Sequence, residues 1–380
     1  MHRFQITSIA IIFMVLLCSS VLAQDEGGIT FEYGYTSDIM LVSGVDIGEN
    51  RLNYLDNVDL VLGFDTEKLG LWSGGNLNIY FLSNQGEALT ETVGDFQATS
   101  NIEADGTQSL YEFWYNQSLM DGMIEVLFGV HDLNSEFYTN EAAGLFTNGS
   151  FGIGADLSGS VPGGGGIFNM AAAAARVIFA PTDKLTILAT VRDGDPGGDE
   201  NSDGLGIKWD SDTEGMLIVA EGQYALSGED DPPQVYRAGF WTHTAPRGAD
   251  SDAYSGVYFS VDQPLGGIAA FVAGGIAMGG DADAGTAVPV PLYMGFGAHT
   301  LSETAGLFDD HAETLGLAVN FASIEGMDNM EIVVEATWAI EISDIFSIQP
   351  DVQFVLNPGG DADRNEGGCI VYGVRTSIGF

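Results

Sequence analysis

The chain has 380 residues, of which 54 are Asp or Glu and only 11 are Lys or Arg, so its formal net charge is −43. This balance excludes nucleic acid as a partner, because too few basic side chains are present to neutralise phosphates. Hydrophobic residues make up 45% of the sequence, which argues against disorder and allows one large folded unit.

An export signal is predicted over residues 1–23. Arg3 precedes an apolar run from Ile9 to Leu17, and the stretch Val21–Ala23 supplies a cleavage site before Gln24. Beyond this signal, no apolar run approaches the ~20 residues that a transmembrane helix requires. An exported chain of this kind can span a membrane only with strands, because lipid leaves no other way to satisfy the backbone. Cys369 alone remains after processing, so no intramolecular disulfide is expected.

Short segments of alternating apolar and polar residues run along the rest of the chain. Successive side chains of a strand point to opposite faces, so this alternation predicts strands. Bacterial single-chain barrels have even strand numbers, and we therefore expect sixteen or eighteen strands rather than the seventeen candidates counted. The candidates are residues 29–41, 52–64, 75–84, 108–118, 123–131, 170–180, 185–193, 204–211, 215–225, 235–243, 253–262, 268–278, 290–300, 312–323, 330–341, 345–356 and 369–380.

The apolar rows of the clearest segments carry no charge, whereas the opposite rows do. In one such segment Ile124, Val126, Phe128 and Val130 alternate with Glu125, Leu127, Gly129 and His131. Another sets Tyr111, Phe113 and Tyr115 against Glu112, Trp114 and Asn116. A charged group on the lipid face of a barrel costs up to ~2–4 kcal/mol, which explains such rows. A soluble sandwich with its apolar face hidden has the same period and stays open at this point.

Acidic residues cluster in the breaks between these segments, where Gly, Pro and Asn mark turns. They form a solvated exterior or, alternatively, bind divalent cations, because paired carboxylates suit hard cations. The spacing matches no calcium loop, so the sequence names no metal. The clusters are Asp195–Asp203, Glu229–Asp231, Asp250 with Asp252, Asp281 with Asp283, Asp309 with Asp310, and Asp361–Glu366.

The last segment, Cys369–Phe380, has an apolar row that ends on an aromatic residue. Ile370, Tyr372, Val374, Thr376, Ile378 and Phe380 alternate with Val371, Gly373, Arg375, Ser377 and Gly379. This segment resembles the closing strand of bacterial outer-membrane barrels, in which the terminal Phe belongs to the assembly signal. The edge strand of a soluble sandwich is the alternative.

Longer motifs resemble the carbohydrate-selective porins of the OprB type, in order along almost all of the processed chain. The resemblance implies an all-β fold, a transmembrane antiparallel β-barrel of sixteen strands over residues 24–380 in the cell outer membrane. It further implies that mono- or oligosaccharides diffuse through the barrel, without a cofactor. The motifs are Thr66–Gly70, Val93–Ala104, Leu110–Leu119, Gly129–Gly152, Pro181–Leu185, Asp193–Gly197 and Gln349–Gly360.

A sugar site in such a lumen needs hydrogen-bonding Arg and carboxylate groups and an aromatic surface. Strand parity places several such residues on inward rows, and their affinity for sugar should be millimolar, roughly −4 kcal/mol, so that the solute is released. Wall ion pairs and wall packing are the alternative role for each. The candidates are Glu112, Trp114, His131, Arg176, Arg192, Arg237 and Trp241, with the inward acids Asp59, Glu221, Glu335 and Asp351.

The stretch that follows residue 131 is a candidate constriction loop. Asp132, Asn134 and Glu136 lie where the strand ends, and the loop either folds into the lumen or covers the rim. The same residues could instead cap a short helix, because Asp and Asn are common at helix N-termini.

Other functions remain as alternatives at this point. A general porin of the same fold, with a cation preference, is the main competitor, because the chain has few basic residues for a selective sugar site. A barrel enzyme is disfavoured, because no His falls in a Ser-centred elbow or a metal-ligand spacing. A secreted lectin-like sandwich would need no detergent for extraction. We expect a channel with carbohydrates and outer-membrane lipids as its partners.

Overall fold

The computed structural model describes residues 27–44, 51–86, 89–104, 106–197, 214–226, 232–244, 253–279, 289–301, 311–363 and 367–380. Within these ranges the chain is nearly all strand. The strands are β1 (Ile29–Gly44), β2 (Arg51–Asp65), β3 (Gly75–Gly86), β4 (Thr107–Leu119), β5 (Ile124–His131), β6 (Ala172–Thr182), β7 (Leu185–Asp193), β8 (Met216–Ala225), β9 (Val235–His243), β10 (Tyr254–Pro264), β11 (Ile268–Gly279), β12 (Leu292–Thr300), β13 (Ala312–Ser323), β14 (Met330–Ser343), β15 (Phe346–Leu356) and β16 (Gly368–Gly379).

The described strands form one closed barrel of sixteen antiparallel strands, each paired with its neighbours in the chain. Strands β1 and β16 close it, with Gly34 opposite Gly379 and Gly44 opposite Cys369. Phe380 packs its ring 5.3 Å from that of Tyr33, centroid to centroid. The predicted all-β barrel is confirmed, and the sandwich is wrong. The seventeenth candidate strand, 204–211, lies outside the described residues, as do most of the acidic breaks.

The predicted two faces of the strands are also present. On β5, Phe128 on the outer face is 59% exposed while its neighbour Leu127 on the inner face is fully buried. On β14, Glu331 and Glu335 point inward and are fully buried. The apolar rows therefore form the outside of the cylinder, where lipid can solvate them, and the polar rows form its inner wall.

Tyr111 departs from the predicted alternation. The register between β3 and β4 shifts at Tyr80 and Phe81, so that Glu112 pairs with Tyr80 and Leu110 pairs with Phe81. The extra residue of this β-bulge, Tyr111, turns into the barrel, where it is 4% exposed and stacks edge-on against Tyr80. Period-two counting cannot detect a bulge, and the prediction of an outward Tyr111 is wrong.

The two rims of the barrel differ in the length of their connections. The turns after β6 and β14 have two residues each, 183–184 and 344–345, and the chain enters β1 and leaves β16 at this rim. The longest connections, 87–106, 132–171 and 194–215, lie at the opposite rim. Short turns are periplasmic and long loops extracellular in outer-membrane barrels, which orients this one.

Two of the long connections fold into the barrel. The first inner segment, residues 89–104, contains helix α1 (Leu89–Val93). The second inner segment, residues 132–171, contains α2 (Gly149–Gly152), α3 (Ala155–Ser158) and two 3₁₀ turns, Ala142–Leu145 and Pro162–Gly165. A third 3₁₀ turn, Pro358–Gly360, precedes β16. No helix in the described ranges is long and apolar enough to cross a membrane.

Candidate functional site

The second inner segment is held to the barrel wall by its main chain. Glu221 on β8 accepts the N–H of Tyr138 at 2.8 Å, Asp262 on β10 accepts that of Ala142 at 2.9 Å, and Glu335 on β14 accepts those of Thr147 and Asn148. Carboxylates accept such bonds with roughly twice the strength of neutral groups. The inward acids of the wall therefore hold a polar loop in place and satisfy its backbone.

Apolar packing adds to these bonds along β8 to β12. The rings of Tyr138 and Tyr258 stack with centroids 4.0 Å apart, and Trp241 is fully buried in the same cluster. Leu133 and Leu157 of the inner segment join them. Residues of the second inner segment therefore fill this side of the barrel.

The first inner segment is anchored on strands β14, β15 and β1. Glu331 accepts the N–H groups of Phe96 at 2.8 Å and Gln97 at 2.9 Å, and the hydroxyl of Ser100 donates to Asp38 at 2.7 Å. Gln353 donates to the carbonyl of Thr99 at 2.7 Å. The two inner segments also bond to each other, since the N–H of Asn101 donates to the carbonyl of Thr147 at 2.7 Å, and together they narrow the lumen.

Two carboxyl groups of the inner segments have strongly raised pKa values. Burial raises the pKa of Asp156 to about 7, and its Oδ1 accepts the hydroxyl of Tyr138 at 2.8 Å. Burial, followed by the nearby charge of Glu331, raises the pKa of Asp95 to about 7. The protonated forms of both groups are therefore favoured when the segments are docked.

The larger of two lumen cavities that described residues line, about 580 Å³, lies between the two inner segments and the wall formed by β1, β2, β3, β15 and β16. This volume is within the range of small-molecule sites. Phe96 is 38% exposed, and Tyr80 and Phe168 add further aromatic surface. The polar residues that line it include Asn57, Asp59, Asp132, Asn134, Gln349 and Arg375.

A second cavity, of about 440 Å³, lies towards the rim with short turns. Trp114, Arg176 and Glu136 line it, and the guanidinium of Arg176 makes a bidentate ion pair with Glu136, at 2.8 and 2.6 Å. Arg176 also donates to Asn116 at 3.2 Å. The two cavities lie on either side of the stretch 132–136, since Asp132 and Asn134 line the larger one and Glu136 the smaller.

The other predicted site residues hold the inner segment rather than line a cavity. Glu112 accepts the N–H of Asp132 at 2.7 Å, and His131 lies with its Nε2 3.2 Å from the hydroxyl of Ser135. Arg192 is fully buried and donates to three carbonyl oxygens, those of His131, Gly165 and Gly166. Arg237 pairs with Asp262 at 2.6 Å, and Trp241 is covered by the segment.

The start of the second inner segment is a capped turn and not a helix. Oδ1 of Asp132 accepts the N–H of Asn134 at 2.7 Å, and the N–H of Phe137 bonds to the carbonyl of Leu133 at 3.0 Å. Oδ2 of Asp132 accepts the hydroxyl of Tyr111 at 2.5 Å. Asp132 caps as expected of its residue type, but a single turn follows. Burial raises the pKa of Asp132 above its ordinary value.

Arg375, Phe96 and Gln349 line the larger cavity and were not among the predicted site residues. Arg375 forms a bidentate pair with Asp38 at 2.8 Å on both bonds and donates to Asn101 at 2.8 Å. Its place on the polar row of the last strand was the available signal. Within the described residues, no group of three His, Cys, Asp or Glu side chains could hold a metal ion.

The family model described as "Carbohydrate-selective porin, OprB family" matches residues 49–281 and 294–380 of this chain. None of the curated proteins matches the sequence.

Solved structures share the fold. One titled "High pH structure of Pseudomonas putida OprB" is 17% identical, with a TM-score of 0.77 over 93% of this chain and 94% of that one. Another, "Low pH structure of Pseudomonas putida OprB", is 14% identical with a TM-score of 0.58 over 93% of each chain. A mutant of the Rh. blastica porin is 10% identical, with a TM-score of 0.51 over 93% of this chain and 100% of that one. At these identities the likeness shows the barrel fold.

Proposed function

Because this chain belongs to the OprB family of carbohydrate-selective porins, we propose that sugars diffuse through the part of its lumen that the inner segments leave open. The protein is a carbohydrate channel of the outer membrane, and a general porin is not favoured. What carries the proposed route is the larger cavity, in which aromatic surface and polar side chains face one space.

The lining of this cavity suits a neutral hydroxylated ring. The exposed ring of Phe96 offers a surface for the apolar C–H face of a sugar. The carboxylates of Asp59 and Asp132 can accept hydrogen bonds from sugar hydroxyls, while the amides of Asn57 and Gln349 can both donate and accept hydrogen bonds. The sugar then passes Asn134 and enters the smaller cavity, where Trp114 and the Arg176–Glu136 pair offer the same combination.

The remaining predicted residues have a supporting part in this proposal. Glu112, His131, Arg192, Arg237 and Trp241 position the second inner segment, and so set the width of the passage without contacting the sugar. Residues 1–23 are removed on export, and outer-membrane lipids surround the outward rows. In this proposal the channel acts without a catalytic step. Ser135 and His131 are a neighbouring serine and histidine, but the hydroxyl of Ser135 donates to the carbonyl of Asp132 at 2.8 Å and so stabilises the turn.

Sugar block of the ion current through single channels in a planar bilayer tests the site at Trp114. We expect Trp114→Ala to raise the half-blocking concentration of glucose by about 3- to 10-fold, because the sugar loses the binding free energy of one aromatic contact. The open conductance should change less. Trp338→Ala is the matched control, because Trp338 lies on an outward row, where its indole donates to Glu313 at 3.0 Å. Equal effects on block and conductance would reject the site.

A further inference from the structure

The charges that line the lumen are unevenly paired. Three of the inward arginines of the described strands are each matched by a carboxylate: Arg176 by Glu136, Arg237 by Asp262 and Arg375 by Asp38. Arg192 is fully buried and committed to carbonyl oxygens, and Arg51, at the rim end of β2, lines neither of the two cavities. The charges of these arginines are therefore either neutralised by a carboxylate or kept away from the two cavities.

Two carboxylates of the larger cavity, Asp59 and Asp132, accept hydrogen bonds from neutral donors instead. Asp59 accepts from the amide of Asn57 at 2.7 and 2.8 Å and from the hydroxyl of Tyr80 at 2.6 Å, all neutral donors. Asp132 accepts from Tyr111 and from a main-chain N–H. The charge of the buried Arg192 reaches Asp132, but it also faces Glu112 and Glu136. The cavity therefore carries excess negative charge.

The smaller cavity has the same sign. Asp65, Glu125 and Glu136 line it together with Lys68 and Arg176, so acids outnumber bases at both places. Low-dielectric walls concentrate the field of such charges inside a cleft, which raises the local concentration of one sign of solute and lowers that of the other.

We infer that this channel selects among sugars by charge: it admits neutral sugars, favours sugars that carry an ammonium group, and excludes sugars that carry a carboxylate. This inference rests on the proposed function and adds a substrate class to it. The hydroxyl groups of a neutral sugar donate hydrogen bonds to Asp59 and Asp132, and the ammonium group of an amino sugar forms an ion pair with the same oxygens. A uronate meets the carboxylates with a like charge, and the one described arginine that lines the larger cavity, Arg375, is already paired with Asp38.

Uptake of labelled hexoses into proteoliposomes of the full-length processed protein tests this. Glucose, glucosamine and glucuronate have similar sizes, and at pH 6 the second carries a positive and the third a negative charge. We expect glucosamine to enter at least about tenfold faster than glucuronate, with glucose between them. The ratio should fall in 1 M KCl, because the Debye length there is only about 3 Å.

Substitutions in the larger cavity test whether its carboxylates cause the difference in uptake. Asp59→Asn and Asp132→Asn should each reduce the ratio of glucosamine to glucuronate uptake to about threefold or less, because each removes one of the lining charges. Asp56→Asn is the control: Asp56 is on the same strand as Asp59 but faces outward, where it accepts the hydroxyl of Tyr54 at 3.0 Å, and the ratio should stay unchanged.

The outcomes separate this inference from the proposed function. If glucose enters while glucosamine and glucuronate enter at equal rates, charge selection is wrong and the sugar channel stands. An equal loss of the ratio in Asp56→Asn also overturns the assignment to the cavity. If none of the three sugars enters faster than in protein-free liposomes, both proposals fail together.

Discussion

The side chain of Glu335 on β14 binds the main chain of Thr147, 188 residues earlier, with Oε1 at 2.6 Å from its N–H, while Oε2 accepts the N–H of Asn148 at 3.0 Å. Asn148 in turn caps α2, since its side chain accepts the N–H of Ser150 at 3.2 Å. One wall carboxylate thus satisfies two backbone donors and fixes the start of a helix inside the barrel.

Removing that carboxylate should loosen the second inner segment. Glu335→Ala leaves two buried N–H groups without an acceptor, at about 1–3 kcal/mol each, whereas Glu335→Gln keeps one acceptor and should cost less. We expect noisier single-channel currents and faster proteolysis of the segment in the order Ala, Gln, wild type. Glu341→Ala, at an exposed position of the same strand, is the control. Single-channel currents of Glu335→Ala that are no noisier than those of the wild type would contradict the conclusion that Glu335 anchors the second inner segment.

The ion pair between Arg375 and Asp38 joins the two strands that close the barrel. Asp38 is fully buried, so Arg375→Met leaves an uncompensated charge and should lower the free energy of unfolding by about 3–5 kcal/mol. Guanidinium unfolding in detergent micelles measures this change. The double variant Arg375→Met with Asp38→Asn should regain part of the loss. Additive effects of the two substitutions would show that the pair does not couple.

Acidification should tighten the docking of the second inner segment through Asp156. The pKa of this carboxyl is about 7 when docked and close to 4 when exposed, so the docked state binds more protons between these values. Stability therefore falls as the pH rises from 4 to 7, by on the order of 3 kcal/mol for this group.

Comparison of wild type with Asp156→Asn at pH 5 and pH 8 isolates that contribution. An Asn side chain still accepts the hydroxyl of Tyr138 but does not titrate. The free energy of unfolding of the variant should therefore change less between the two pH values than that of the wild type, measured by tryptophan fluorescence in detergent. The same pH dependence in both proteins would assign it to other groups, such as Asp95, whose pKa is also about 7.

Gly275 on β11 provides the space for Asp156. A Cβ at this position would overlap the carboxylate of Asp156, which has no exposed surface. Gly275→Ala should therefore displace α3 from the wall, destabilise the protein by about 1–3 kcal/mol and raise open conductance. Gly222→Ala on β8 meets no atom within 4 Å and should change neither property. Equal conductance in all three proteins would argue against the contact.

The barrel itself was predictable, because charged side chains are excluded from the lipid-facing row of each strand. The sequence of each strand therefore alternates between apolar and polar residues. Cys369–Phe380 shows this most clearly, since Tyr372 and Val374 face outward and Arg375 inward as the alternation predicts. The bulge that turns Tyr111 inward was not predictable, because it depends on the pairing of β3 with β4 and not on either strand alone.

The arrangement inside the lumen was predictable only in part. Parity placed Arg192 and Trp241 on inward rows, and they are inward, but the second inner segment covers both. That segment has no alternation to reveal which wall residues it contacts. Its partners on β8, β10 and β14 become neighbours only when the barrel closes, more than 80 residues away in sequence.

The central claim, that a hexose passes between the inner segments and the wall, is tested most directly by the swelling of dextran-loaded proteoliposomes in isotonic glucose. We predict that glucose and the water that follows it enter liposomes containing the purified protein, which swell, while protein-free liposomes do not. Isotonic external dextran should produce no swelling in either. Glucose-driven swelling no faster than in protein-free liposomes, for protein that conducts ions in a planar bilayer, would contradict the account.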